Sequence, residues 1–261
     1  TDKVREKLSV YTSVPMARVF SMHDEPSIYR LPSRMQREQI DRQVTHLLNL
    51  VDRVDPRAEQ EASRRWEDFC RRIRRPRHEV TIAITGKYTA VRDSYASLLK
   101  AIEHAAAHLQ ARAHVRWVDT TGLSDADAAD ALGDADGVIV PGGFGVRGAE
   151  GKTACVRYAR EHFVPYLGLC FGFQMAVVEF ARNVCGLEGA ASTELVEDPP
   201  HPVICLLPEQ YEVEGLGGTM RLGGRDVAVE PDTLAARMFR GAATARLRFR
   251  HRYEVNPDYI D

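Results

Sequence analysis

Apolar and polar positions change rhythm twice along the chain. From about residue 36 to 77 the apolar residues return every third or fourth position. Ile40, Val44, Leu47, Leu48 and Val51 do so first and, after Pro56, Trp66, Phe69, Cys70 and Ile73, which is a helical period. This stretch ends in Arg71-Arg72-Ile73-Arg74-Arg75-Pro76-Arg77. Such a run can contact nucleic acid. The simpler account is that basic residues complement the dipole of a helix's last turn and Pro76 ends the helix. Residues 1–35 before it show short apolar patches near Val14 and Ile28 and no self-contained pattern.

From Val80 onward strand-like and helix-like segments alternate. Residues 79–85 read as a strand turned by Gly86, and Leu98, Leu99, Ile102, Ala105, Ala106 and Leu109 mark one face of a helix. A short strand at 115–118 follows, then a helix capped by Ser124 and running to Leu132, and an apolar strand at Gly137–Val140. A helix over about 150–162, a strand at 164–169 and a helix through Asn183 complete the series. Alternation of this kind predicts βαβ units. The expected fold class is α/β, a mostly parallel open sheet flanked by helices, with a helical linker before it. Past residue 200 the pattern is β-rich, with a strand at 203–207, a Gly-rich hairpin near 217–224 and a strand-like 245–255.

Composition narrows the function classes. A chain of 261 residues, 44% apolar and 28% charged, can bury one or two cores. Its 35 basic and 37 acidic residues leave a net charge of −2. No global field therefore draws it to nucleic acid or to an anionic membrane. No run approaches the ~20 apolar residues of a membrane helix, and the first ten residues lack the apolar segment of a signal peptide. The five cysteines, at 70, 155, 170, 185 and 205, include no Cys-x-x-Cys pair. An odd count without that spacing argues against zinc or a disulfide framework and for a reducing cytoplasm.

Chemistry concentrates at 165–174, where an apolar strand runs through Gly168-Leu169-Cys170-Phe171-Gly172 directly into a helix. This is the cysteine form of a nucleophile elbow: a sharp turn lifts the reactive atom above the sheet, and flanking glycines spare it crowding. The helix N-terminus beside the sulfur is expected to favour thiolate. A buried core cysteine after a Gly-rich turn is the bland alternative. A second Gly-rich segment, Pro141-Gly142-Gly143-Phe144-Gly145, follows the strand ending at Val140. Loops at the carboxyl ends of parallel strands line the crevice of such folds, and exposed backbone N–H groups there suit an oxyanion hole. No Gly-Lys-Ser/Thr follows, so a phosphate loop is not supported.

Taken together, these segments resemble the class I glutamine amidotransferases, with their flavodoxin-like sheet, and more narrowly the glutaminase domains of the CTP synthase family. Gly143-Phe144-Gly145-Val146-Arg147-Gly148-Ala149-Glu150-Gly151-Lys152 is similar to that family's extended oxyanion loop. Ser192-Thr193-Glu194, the Leu216-Gly217-Gly218-Thr219-Met220-Arg221-Leu222-Gly223 stretch and Arg250-His251-Arg252-Tyr253-Glu254-Val255-Asn256 match further segments, as does Gly86-Lys87-Tyr88 with Asp93-Ser94-Tyr95. The resemblance implies three parts: the end of a synthetase domain at 1–35, an interdomain helical linker at 36–78 and an amidotransferase domain at 79–261.

It also implies roles. Cys170 is the nucleophile toward the side-chain amide of L-glutamine. Backbone amides around Gly142, Gly143, Phe171, Gly172 and Phe173 line the oxyanion and amide site. Gln174, Glu194 and Arg252 bind the substrate, Glu194 suited to its α-ammonium and Arg252 to its α-carboxylate. No metal or cofactor is expected in this domain. ATP, Mg and UTP belong to the synthetase domain, GTP is an expected effector, and a homo-oligomer (a tetramer) follows from the resemblance.

Three departures qualify it. The family's base and orienting carboxylate form a His-Pro-Glu, which these residues do not contain, since His201-Pro202 is followed by Val203. His251 with Glu254 belongs to a different motif. The expectation is a part of a larger enzyme with negligible turnover by itself. The alternative is a non-catalytic amidotransferase-like protein with a regulatory or assembly role. Phe171 stands where the family has leucine, and the stretch 209–216 reads short. A peptidase-like cysteine hydrolase is disfavoured by the combination of motifs.

Overall fold

Short apolar runs become the strands β1 (His78–Gly86), β2 (Ala111–Asp119), β3 (Gly137–Val140) and β4 (Tyr166–Gly168) of one sheet, ordered β2-β1-β3-β4. The structure, a computed structural model, describes residues 1–86, 92–206 and 221–260. Strands β1, β3 and β4 pair in parallel, with Ile84 opposite Ile139 and Val140 opposite Gly168. That register brings the ends of β3 and β4, and so the two Gly-rich loops, side by side. Strand β2 is nine residues long where the sequence suggested 115–118. It lies at the sheet edge, where Arg112 and His114 can face solvent, and these polar residues hid its first half.

The helices α5 (Ala96–His108), α6 (Asp125–Leu132), α7 (Ala149–Glu161) and α8 (Phe171–Asn183) form where the period-3.6 pattern predicts them. Ser124 caps α6 with a reciprocal capping box to Asp127. One core packs Leu132, Val138, Val140, Cys155 and Ala159 between the sheet and α6 and α7. A second packs Phe171, Met175 and Val178 of α8 against Val203 and Ile204. Each such aliphatic side chain contributes about 1.5–3 kcal/mol when fully buried.

Strands β5 (Ala190–Ser192), β6 (His201–Leu206) and β9 (Tyr253–Val255) make a smaller mixed sheet, and β7 (Arg221–Ala228) pairs antiparallel with β8 (Thr244–His251). The strand-like 245–255 is thus two strands that part at Arg252 and pair with different partners. Gly223 and Gly224 lie inside β7 rather than in a hairpin turn, and a short helix (Leu234–Met238) lies between β7 and β8. The expectations at Lys87, Tyr88, Leu207, 209–216 and 217–220 lie outside the described residues.

By their contacts the residues form two units, Thr1–Glu79 with Ser97–Ala113, and Val80–Ala96 with His114–Asp261. In the first unit the helical stretch is divided into α2 (Leu31–Arg37), α3 (Ile40–Leu47) and α4 (Pro56–Arg74), preceded by α1 (Asp2–Thr12), for which the sequence offered no signal. Gln39, with φ 57°, separates α2 from α3. The Asp55 carboxylate accepts hydrogen bonds from the N–H groups of Arg57 and Ala58, and Pro56 opens α4. Tyr29 anchors this unit: its carbonyl accepts from Trp66 Nε1 at 2.7 Å, and its hydroxyl lies 2.8 Å from His104 Nε2.

Candidate active site

The tightest constraint in the second unit lies between β4 and α8. Cys170 has φ 54° and ψ −109°, a region that costs a non-glycine residue roughly 1–3 kcal/mol and persists where surrounding packing imposes it. The packing here is backbone against backbone. A methyl group on Gly172 would stand 1.9 Å from the Val140 carbonyl oxygen, and one on Gly168 would stand 2.6 Å from the Phe173 nitrogen. Both glycines of the Gly-x-Cys-x-Gly are therefore steric requirements of the turn. Tyr166 secures it from the strand side by donating its hydroxyl to the Gly172 carbonyl at 2.7 Å.

The loop after β3 approaches the same sulfur. A methyl group on Gly142 would lie 3.4 Å from Cys170 Cβ and 3.9 Å from its Sγ, and one on Gly143 would lie 3.5 Å from Lys152 Nζ. The loop is held from the far side by Glu194, whose Oε1 accepts the Gly145 N–H at 2.9 Å. Gly143, Phe144, Cys170, Gln174, Glu194, Arg250, His251, Arg252 and Tyr253 line a cleft of about 280 Å³. An adjoining cleft shares Cys170 and Gln174 and adds Phe173, Phe249 and Glu254.

Electrostatics at Cys170 differ from the expectation. The helix N-terminus does favour thiolate through the Phe171 N–H, and the Lys152 cation acts in the same sense. Burial of the sulfur outweighs both and Glu194 adds to it, so the Cys170 thiol is pushed above its ordinary range. Burial pushes Cys155 further, to about 12, and that residue is enclosed in the core.

The opposite wall comes from the junction of β8 and β9. Gln174, 5% exposed, donates its side-chain N–H to the Tyr253 carbonyl at 2.9 Å and so ties α8 to that junction. His251 Nε2 and Glu254 Oε1 share a hydrogen bond of 2.6 Å. The sequence-predicted residues Gly143, Cys170, Gln174, Glu194 and Arg252 therefore meet in one cleft, and Phe173 joins Cys170 in the adjoining one. Any side chain at Gly142 would meet Cys170, and Gly172 shapes the turn. Phe171 sends its ring into the core at 2% exposure and turns only its backbone N–H toward the sulfur.

Sequence reasoning missed Phe144, Arg250 and Tyr253 and set His251 aside. A continuous strand would alternate its faces. Four consecutive residues, 250–253, reach one cleft because the chain leaves one sheet at His251 and joins another at Tyr253. The only signal available was the density of functional side chains in Arg-His-Arg-Tyr-Glu. Among the described residues no group of three or more His, Cys, Asp or Glu could hold a metal ion, and no helix is long and apolar enough to cross a membrane.

This geometry has relatives. The sequence pattern of the class I glutamine amidotransferases matches residues 90–261. A CTP synthase of Natronomonas pharaonis is 47% identical over 259 residues, which is 99% of this chain and 46% of that protein. One from Thermus thermophilus is 46% identical over 260 residues, 100% of this chain and 46% of that protein. The chain thus spans about half the length of these relatives. Among solved structures, the Trypanosoma brucei CTPS glutaminase domain with bound acivicin superposes with a TM-score of 0.64 at 38% identity, covering 69% of this chain and 70% of that one. With the strained cysteine and the Gly-rich loop in the places this fold requires, the chain belongs to the class I glutamine amidotransferases, in the group of CTP synthase glutaminase domains.

Proposed function

We propose that this chain is the glutaminase part of a CTP synthase, hydrolysing L-glutamine and supplying ammonia for the ATP-dependent amination of UTP to CTP. The observation that carries the reading is one cleft holding a strained cysteine, a glycine loop beside it, the Glu194 carboxylate and the Arg252 guanidinium, with Arg250 lining the same cleft. That charge pair suits a zwitterionic amino acid whose side-chain amide reaches the sulfur.

In the reaction, Cys170 Sγ gives up its proton to a base and attacks the amide carbon of glutamine. The carbonyl electrons move onto oxygen, where the N–H groups of Phe171 and the Gly142-Gly143 loop stabilise the charge. The nitrogen takes a proton and leaves as ammonia, and water then cleaves the γ-glutamyl thioester to glutamate, restoring the thiol. By the resemblance the base belongs to a His-Pro-Glu, which these 261 residues do not contain. Residues 1–35 are the end of the synthetase domain and 36–78 its connection to the glutaminase. Mg, ATP and UTP are handled by the synthetase domain, GTP is an effector, and the working enzyme is a cytoplasmic homo-tetramer.

Acivicin tests the site directly. In the full-length protein it is expected to label Cys170 and spare Cys70 and Cys155, which are buried, as well as Cys185 and Cys205. Peptide mass mapping that finds several cysteines labelled equally would remove the assignment. Arg252→Ala is expected to raise KM for glutamine and lower kcat/KM by ~10- to 150-fold, since a charge-assisted hydrogen bond contributes about 1.5–3 kcal/mol. Turnover with free ammonia should be unchanged. An equal fall in ammonia-dependent turnover would make Arg252 a structural residue.

A further inference from the structure

The sequence places Lys152 at the fourth position of α7, and the fold encloses it to 5% exposure. Both facts are costly. A buried cation loses its hydration, and a helix N-terminus repels positive charge. What the ammonium touches explains why the fold keeps it. Its Nζ donates to the Pro141 carbonyl at 3.3 Å, at the start of the glycine loop. It lies 4.9 Å from the centroid of the Phe171 ring, within cation–π range. A methyl group on Gly143 would lie 3.5 Å from it. One ammonium thus bridges the glycine loop and Phe171, whose N–H favours the Cys170 thiolate, and it acts electrostatically on Cys170 itself.

We propose that Lys152 is a positioning residue of this active site: from behind, it locks the Gly142-Gly143 loop to Phe171 and biases the site toward negative charge at the sulfur and the oxyanion. The inference rests on the glutaminase reading for its kinetic consequence, but not for its effect on the thiol. The charges around that thiol are Glu194, which opposes ionisation, and Lys152, which favours it, while Arg250, His251 and Arg252 line the same cleft.

The test compares Lys152→Met and Lys152→Arg with the parent, in the full-length protein, by the pH dependence of Cys170 alkylation with iodoacetamide. Loss of the cation is expected to move the Met profile to higher pH and slow alkylation at neutral pH by about three- to tenfold, since each pKa unit is a factor of ten in thiolate. The Arg variant, which keeps the charge, should retain the parent profile. With glutamine the Met variant should lose kcat while KM changes less than about twofold, the pattern of an interaction realised in the transition state. An unmoved alkylation profile in a Met variant that melts like the parent overturns the proposal, as does a change in KM alone. Should the Met variant not fold, ¹⁵N-lysine spectra of the parent decide, with the Lys152 signal assigned by its loss in Lys152→Arg. That signal must shift when the acivicin adduct forms, and a stationary one refutes the bridge. If the parent hydrolyses no glutamine and takes no acivicin, the functional reading fails, while the iodoacetamide profiles still judge Lys152.

Discussion

Cys170→Ala is expected to lower glutamine hydrolysis by the full-length protein at least ~10⁴-fold, because no covalent intermediate can then divide the reaction into two easier steps. What remains is the oxyanion hole and substrate binding, which give only a fraction of the catalysis of an acyl-transfer site without its nucleophile. The fold should tolerate the change. The alanine keeps the Cβ, and the strained φ of 54° is imposed by the neighbouring turn rather than by the thiol. On the proposed glutaminase reading, ammonia-dependent synthesis of CTP should persist, since free ammonia bypasses the glutaminase. Glutamine hydrolysis by purified Cys170→Ala near the parent's rate would place the nucleophile elsewhere. Loss of ammonia-dependent synthesis as well would mean that the substitution disturbs more than the glutaminase.

Gly172→Ala should damage both stability and reactivity. The added methyl would stand 1.9 Å from the Val140 carbonyl oxygen, a backbone atom of a central strand that cannot swing aside as a flexible side chain can. Relief requires α8 to back away from β3. Overpacking of this severity costs about 3 kcal/mol or more, which for a protein of this size is a fall in Tm of about 6–12 °C. The sulfur moves with the helix, and a displacement of about 1 Å is enough to slow acivicin labelling ~10²-fold. Gly143→Ala is the control for stability, because its methyl would meet only Lys152 Nζ, at 3.5 Å. A Gly172→Ala melting curve that overlays the parent's would show that the turn has slack not visible in the structure.

The pH behaviour of the thiols separates them further. Burial raises the Cys155 thiol to about 12, so the folded state holds its proton where the unfolded chain has released it. With the unfolded value near 9, that preference lowers stability as pH rises from about 9 toward 12 and leaves neutral pH unaffected. Cys155→Ala should flatten the fall in Tm over that window. An equally steep fall would assign the alkaline sensitivity to other groups, among them Tyr166, whose hydroxyl is also pushed upward by burial.

Local rules made much of this protein legible in its sequence. The elbow is written into Gly168 and Gly172 because backbone contacts at both positions forbid a side chain. Helices α6, α7 and α8 follow from apolar spacing and the Ser124 cap, and the parallel sheet follows from alternating apolar strands and helices. Those features depend on residues a few positions apart. Tertiary structure alone decided what depends on distant segments. It broke 245–255 at Arg252 and gave its two halves to different sheets, which turned four consecutive residues toward one cleft. It let burial override the helix dipole at Cys170, because desolvation is set by everything packed around the sulfur rather than by the helix that follows it. It also carried Lys152 from a polar position on α7 to the start of the glycine loop after β3. Sequence spacing carries the period of a helix or the need for a glycine, but which atoms exclude water from a given charge is known only once remote strands have closed around it.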